Sequence, residues 1–164
     1  MTFTCPINQT YSSVKILSVS RFEETLLERT PNIIFADADL DKAIATSLRS
    51  SFLNQGEICL CGSRIYVEKS ISEKFTREFV EQTNKLTVGD PANENTFMGA
   101  LISKPHLEKV ISFISEARRE GGKILAGGGV PLDLPEEFKN GFFLRPTVIA
   151  NLSENSRCIQ EEIF

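Results

Sequence analysis

Thirteen residues, Phe52-Leu53-Asn54-Gln55-Gly56-Glu57-Ile58-Cys59-Leu60-Cys61-Gly62-Ser63-Arg64, restrict the fold more than any other stretch of this chain. Before them, from Asp39 to Gln55, the apolar residues Leu40, Ile44, Leu48 and Phe52 recur every four positions, with Ala43 and Ala45 beside them. That spacing is one face of a helix. Asp39 and Asp41 lie in its first turn, where carboxylates favour the helix dipole. Gly56 ends the helix, and Arg64 to Val67 reads as a strand. Cys59 therefore falls on a glycine-flanked turn just past a helix end. A substrate can reach a thiol held there, and nearby backbone N–H groups are free to face it, which is the geometry a covalent nucleophile needs.

The rest of the chain continues the alternation of strand and helix. Residues 33 to 35 form a short apolar run after Pro31 and suit a buried strand. Ser70-Ile71-Ser72-Glu73 reads as a capping box opening a helix whose Ile71, Phe75 and Phe79 share a face. Val88-Gly89-Asp90-Pro91 is a turn. Ser103 caps a further helix, with Pro105 in its first turn, Leu107, Val110, Ile111 and Ile114 inward, and Gly121-Gly122 as its stop. Lys123 to Ala126 and Leu144 to Ile149 read as strands, and the Gly-, Pro- and charge-rich stretch from 127 to 140 as a long surface loop. The first thirty residues suit either a strand or a frayed helix. Strands alternating with helices predict an α/β layer with a largely parallel sheet flanked by helices.

Composition removes several function classes. At 164 residues, the chain is in the single-domain range and can bury roughly two-thirds of its unfolded surface. A net charge of −4 argues against nucleic acid as a partner, because phosphate binding needs clustered Lys and Arg. No apolar run approaches the roughly 20 residues of a membrane span, and the N-terminus does not read as a signal peptide. Four cysteines without a secretory signal read as reduced thiols, hence a cytoplasmic setting.

Each candidate chemical group has a plainer reading beside it. Cys59 as thiolate would attack a carbonyl; as a small buried hydrophobe it would only pack, and spacing leaves both open. With a reference thiol pKa of about 8.5, only a few per cent of an unassisted thiol is thiolate at neutral pH. Cys61 is too close to Cys59 for a Cys-x-x-Cys site, and no second pair completes a metal centre, so packing is expected and no metal is assigned. Cys5 and Cys158 have no partner pattern and read as inert. His106, on a helix opening, reads as a solvated or packed imidazole rather than a base. Gly127-Gly128-Gly129 lacks phosphate-loop spacing and reads as a turn.

The Cys59 string also resembles the active-site motif of the aldehyde dehydrogenase family. Gly56-Glu57 stands for the family's Gly-Gln or Gly-Glu, Cys59 for its nucleophile and Gly62-Ser63-Arg64 for its Gly-Ser-Arg. The resemblance extends upstream to Pro31-Asn32-Ile33-Ile34-Phe35 and Ala38-Asp39-Leu40-Asp41-Lys42-Ala43. Downstream it takes in Phe142-Phe143-Leu144-Arg145-Pro146-Thr147-Val148 and Glu161-Glu162-Ile163-Phe164. It implies NAD(P)-dependent oxidation of a small-molecule aldehyde to a carboxylic acid through a cysteine thioester, with Glu162 as a ribose-binding residue for NAD. It also implies a partial family fold: residues 1–30 as a diverged remnant of the end of the nucleotide-binding domain, and 31–164 as an incomplete catalytic domain.

Departures from the family pattern leave other functions open. The position of the family's deacylating glutamate reads Thr25, which is no general base near pH 7; Glu24 or Glu28 would have to replace it. Phe3-Thr4-Cys5-Pro6 resembles a remnant of the family's phosphate-facing turn, but Cys5 adds a side chain and Pro6 removes a donor. Beside the dehydrogenase reading therefore stand an inactive fragment that pairs with a full-length subunit or with itself, and a nucleotide-independent thiol esterase. Family chains are several times longer, so the strand from Leu144 to Ile149 is expected to lack sheet neighbours and to favour aggregation.

Overall fold

Five strands form one sheet flanked by four α-helices among the described residues of a computed structural model, which are 11–17, 31–59, 61–161 and 163. The elements are β1 (Tyr11–Leu17), β2 (Pro31–Ile34), α1 (Leu40–Phe52), β3 (Arg64–Glu68), α2 (Lys69–Asn84), α3 (Lys104–Arg119), β4 (Lys123–Ala126), β5 (Thr147–Ala150) and α4 (Arg157–Gln160). The strand order is β2-β3-β1-β5-β4. β2 pairs with β3 in parallel, in the register Pro31 to Arg64 and Ile34 to Val67. β1 runs antiparallel to both β3 and β5, and β4 runs antiparallel to β5. β2, β3 and β5 thus share one direction. The α/β layer has the parallel component expected of it, but β1 between β3 and β5 makes the sheet as a whole mixed. Of the two forms left open for the first thirty residues, residues 11–17 take the strand.

Helices cover both faces. Val148 and Ile149 are neighbours in β5, and side chains of adjacent strand residues point to opposite faces. Val148 packs with Ile44, Phe52, Ile65, Val67, Phe75 and Phe79, so α1 and α2 lie on its face. Ile149 packs with Val110, Phe113, Ile114, Ala117, Cys158 and Ile159, so α3 and α4 lie on the other.

The local chemistry explains most boundaries. Asp39 caps α1 by accepting from the Lys42 N–H at 3.2 Å. Ser103 caps α3 by accepting from the His106 N–H, and Gly121 at φ 87° follows its end. Four expectations need correction. α2 begins at Lys69, ahead of the proposed capping box, because Ser70 Oγ donates to Glu68 Oε1 (2.9 Å) and is not the cap. Glu68 Oε2 also accepts from the Ala36 N–H at 2.8 Å, so its carboxylate ties β3, the β2 loop and α2 together. β2 is an edge strand with one buried side: Ile34 is buried, whereas Ile33 and Phe35 are 50% and 42% exposed. β5 starts only at Thr147, since Pro146 has no N–H for a ladder and Arg145 N–H bonds to Gly129 O at 3.0 Å. Nor does β5 lack neighbours: β1 and β4 flank it, and Thr147, Val148 and Ile149 are fully buried.

Candidate active site

Cys59 is reached by building outward from the end of α1. Phe52, its last residue, is buried and stacks on Phe79 (centroids 6.3 Å apart), which stacks on Phe75 (5.5 Å). This aromatic row fixes where the chain leaves the helix. The chain then reverses through a 3-10 turn, Leu53–Gly56, with Asn54, Gln55 and Gly56 at φ of 52°, 58° and 77°. The Glu57 N–H donates to Asn54 O (2.9 Å) and Asn54 Nδ2 donates to Glu57 O (3.3 Å). A second turn follows, closed by Cys61 N–H to Ile58 O at 2.9 Å, with Cys59 inside it and exposed.

The far side of that turn is pinned to the last turn of α1. The Gly62 N–H donates to Ser50 O (3.0 Å), Ser51 Oγ donates to Gly62 O (3.1 Å) and Cys61 Sγ donates to Ser51 O (3.5 Å). A Cβ on Gly62 would lie 2.8 Å from Ser50 Oγ, so a larger residue there would turn the Ser50 hydroxyl aside. The bonding also narrows what an oxyanion could meet. The N–H groups of Glu57, Cys61, Gly62 and Ser63 are taken by backbone carbonyls. Among the described residues of the turn, the N–H groups of Ile58 and Cys59 are the donors left for such a role.

The other singled-out residues divide clearly. Cys61 and Cys158 are buried, as packing residues should be, and Cys158 Sγ donates to Phe113 O at 3.3 Å. His106 takes the packed alternative: its side chain is 11% exposed, and Nε2 lies 3.8 Å from Glu57 Oε1. Burial pushes the Glu57 carboxyl up from its ordinary value. Sequence reasoning missed this pair and the left-handed backbone at Gln55; the turn-forming run Asn54-Gln55-Gly56 was the available signal for the latter.

Glu162, Thr25, Glu24, Glu28, Cys5 and Pro6 lie outside the described residues. Beside Glu162, Ile163 is buried, and Glu161 accepts two hydrogen bonds from Arg157, at 2.6 and 2.8 Å. That bonding holds the Glu161 carboxyl below its ordinary value. Among the described residues no group of three or more His, Cys, Asp or Glu side chains could hold a metal ion. No described helix is long and apolar enough to cross a membrane.

Comparison with known proteins places the chain in a family. The family model described as "Aldehyde dehydrogenase family" matches residues 12–164. The 2-aminomuconic semialdehyde dehydrogenase of Mus musculus is 53% identical over 137 residues, 83% of this chain and 28% of the relative. The 4-trimethylaminobutyraldehyde dehydrogenase of Homo sapiens is 42% identical over 136 residues, again 83% of this chain and 28% of the relative. Betaine aldehyde dehydrogenase from Staphylococcus aureus, crystallised in complex with NAD+, superposes with a TM-score of 0.79 at 37% identity, covering 83% of this chain and 26% of that one. The chain thus spans a little over a quarter of the length of the relatives it matches. With its cysteine turn, its α/β frame and a match along residues 12–164, the chain belongs to the aldehyde dehydrogenase family.

Proposed function

We propose that Cys59 is the nucleophile of an aldehyde oxidation that yields a carboxylic acid through a cysteine thioester. The observation that carries this reading is an exposed thiol on a turn pinned from both sides. The Cys59 thiolate adds to the carbonyl carbon, a C–S bond forms and the carbonyl π pair moves to oxygen, giving a thiohemiacetal. The N–H groups of Ile58 and Cys59, which bond to no backbone carbonyl among the described residues, are the donors the turn offers to that developing charge. Similarity to the mouse relative supports 2-aminomuconic semialdehyde as the substrate, and with it a place in tryptophan breakdown. The three described cysteines are free, which supports a cytoplasmic setting.

NAD is the oxidant this reading requires. Among the described residues, one cleft is lined by Ile44, Leu48, Lys74 and Glu78 and another by Asn32, Ile34, Asp39 and Lys42, and neither carries a feature that assigns it to the dinucleotide. No step is therefore assigned to the dinucleotide, and Glu162 as its ribose ligand stays within the proposal. The exposed Cys59 thiol also supports a second reading, a thiol esterase that needs no hydride acceptor. With an ester, Cys59 Sγ takes the acyl group and the alcohol leaves.

One experiment separates these readings. The purified chain is given NAD with a panel of aldehydes, and separately p-nitrophenyl acetate, with Cys59→Ala as control. The dehydrogenase reading expects NADH formation that the control lacks. An ester burst that stops at one acyl group per chain, without NADH, marks the esterase. Neither signal from folded protein sinks both readings and leaves the non-catalytic one, association with an intact subunit or a second copy.

A further inference from the structure

We propose that Gln55 is a positioning residue for Cys59, one arm of a clasp that holds a strained left-handed turn against residues 99–106. The inference rests on the reading of Cys59 as the reacting thiol and extends it to how that thiol is aimed. Asparagine and glycine enter the left-handed region readily, but glutamine at φ 58° sets its Cβ against the following carbonyl. A residue of that kind stays there only where its surroundings hold it.

The holding contacts come from one neighbouring segment. With its amide turned so that both ends are satisfied, Gln55 Oε1 accepts from the Gly99 N–H at 3.2 Å and Nε2 donates to Asn54 O at 3.0 Å. In the opposite orientation Nε2 donates to Ala100 O at 3.5 Å. Either way the side chain ties the turn to the backbone at 99–100. Gly99 lines the seat: a Cβ there would lie 3.2 Å from the near end of the Gln55 amide, which would have to give by a few tenths of an ångström. Glu57 and His106 are the second arm, 3.8 Å apart, with His106 presented from the first turn of α3 by the Ser103 cap. Ser50 and Ser51 hold residues 61 and 62 on the far side of the Cys59 turn, and the clasp holds its near side at residues 55 and 57. Reacting groups must be held to within about 0.5 Å by such supports.

Two substitutions separate aim from stability. Gln55→Gly removes both the tether and the backbone strain; Gln55→Ala removes the tether and keeps the strain. Alkylation of Cys59 by iodoacetamide is followed by mass spectrometry in the unmodified chain, in both variants and in Gly99→Ala, which crowds the amide from its seat. Thermal unfolding is recorded for each, and the buried Cys61 and Cys158 report loss of fold. The expected result is a change of about threefold or more in the Cys59 rate, in the same direction in both Gln55 variants, while their Tm values diverge. Gly99→Ala should shift the rate the same way. Rates that stay within about twofold of the unmodified chain overturn the proposal, as do rates that follow Tm. Labelling of Cys61 and Cys158 in both Gln55 variants also overturns it, because the tether would then serve global stability. If Cys59 responds as expected yet forms no adduct with aldehyde or ester, the clasp stands and the nucleophile reading falls.

Discussion

Glu57 and Glu161 sit beside the two motif positions, Cys59 and Glu162, and the fold treats them in opposite ways. Glu57 is 26% exposed, its nearest ion-pair partner is His106 at 3.8 Å, and burial raises its carboxyl. Glu161 is exposed and takes Arg157 in a bidentate pair at 2.6 and 2.8 Å, which lowers its carboxyl. Arg157 also reaches Glu116 at 3.2 Å and lies 4.7 Å above the Phe113 ring. One residue type, then, plays two parts. Where water is withheld and the partner is distant, the carboxylate costs free energy and is kept for position. Where the partner is a well-aligned guanidinium at the surface, it latches a chain segment at little cost.

The comparison can be broken most forcefully through the core under the cysteine half. Phe79 is fully buried between Phe52 and Phe75, so Phe79→Ala should cost about 3–5 kcal/mol, read as a lowered urea midpoint. A loss below about 1 kcal/mol would mean that the aromatic row does not anchor the end of α1. Next comes Ser103→Ala, which removes the α3 cap at a cost of about 1 kcal/mol. It should also alter Cys59 alkylation, through His106, and leave the Glu161 titration where it was. The converse outcome would place the Glu161 latch, not the cysteine turn, under the control of that helix end.

Smaller effects sharpen the contrast. Arg157→Met should return the Glu161 carboxyl to its ordinary range by NMR titration, with a stability loss of only about 0.2–1 kcal/mol because the pair is exposed. Smallest is the pH dependence, and its sign differs between the two groups. Glu57 binds its proton more tightly folded than unfolded, so stability falls as pH rises from near 4.5 through its raised value. Glu161 is the reverse: its contribution is present above about 4.5 and is lost as pH falls through its lowered value. Stability curves for Glu57→Gln and Arg157→Met should flatten these opposite slopes one at a time. If both variants flatten the same limb, the two carboxylates are not held in opposite ways.

Much of the frame was legible because it is local. The four-residue recurrence of Leu40, Ile44, Leu48 and Phe52 gives α1, and the Ser103 cap gives the start of α3. Lys123 to Ala126 is a strand with the bounds read from its sequence. The failures came where local signals had competitors. Ser70 had the spacing of a cap, yet Glu68 claims its hydroxyl. Leu144 to Pro146 read as the start of the following strand, yet Pro146 has no N–H and Arg145 bonds to the Gly129 loop.

For the site, the sequence by itself determined that Cys59 follows a helix end on a turn between glycines, because helix stops and turns depend on residues a few positions apart. It also determined the family, through the wording of that motif and its neighbours. Only the tertiary structure decided that β1 lies between β3 and β5, that Glu57 meets His106 and that Gln55 reaches Gly99 and Ala100. It likewise decided which N–H groups of the cysteine turn are already spent. Those facts are contacts between residues far apart in the chain. No periodicity encodes such contacts, which depend on how the sheet brings segments together and on which polar groups it removes from water.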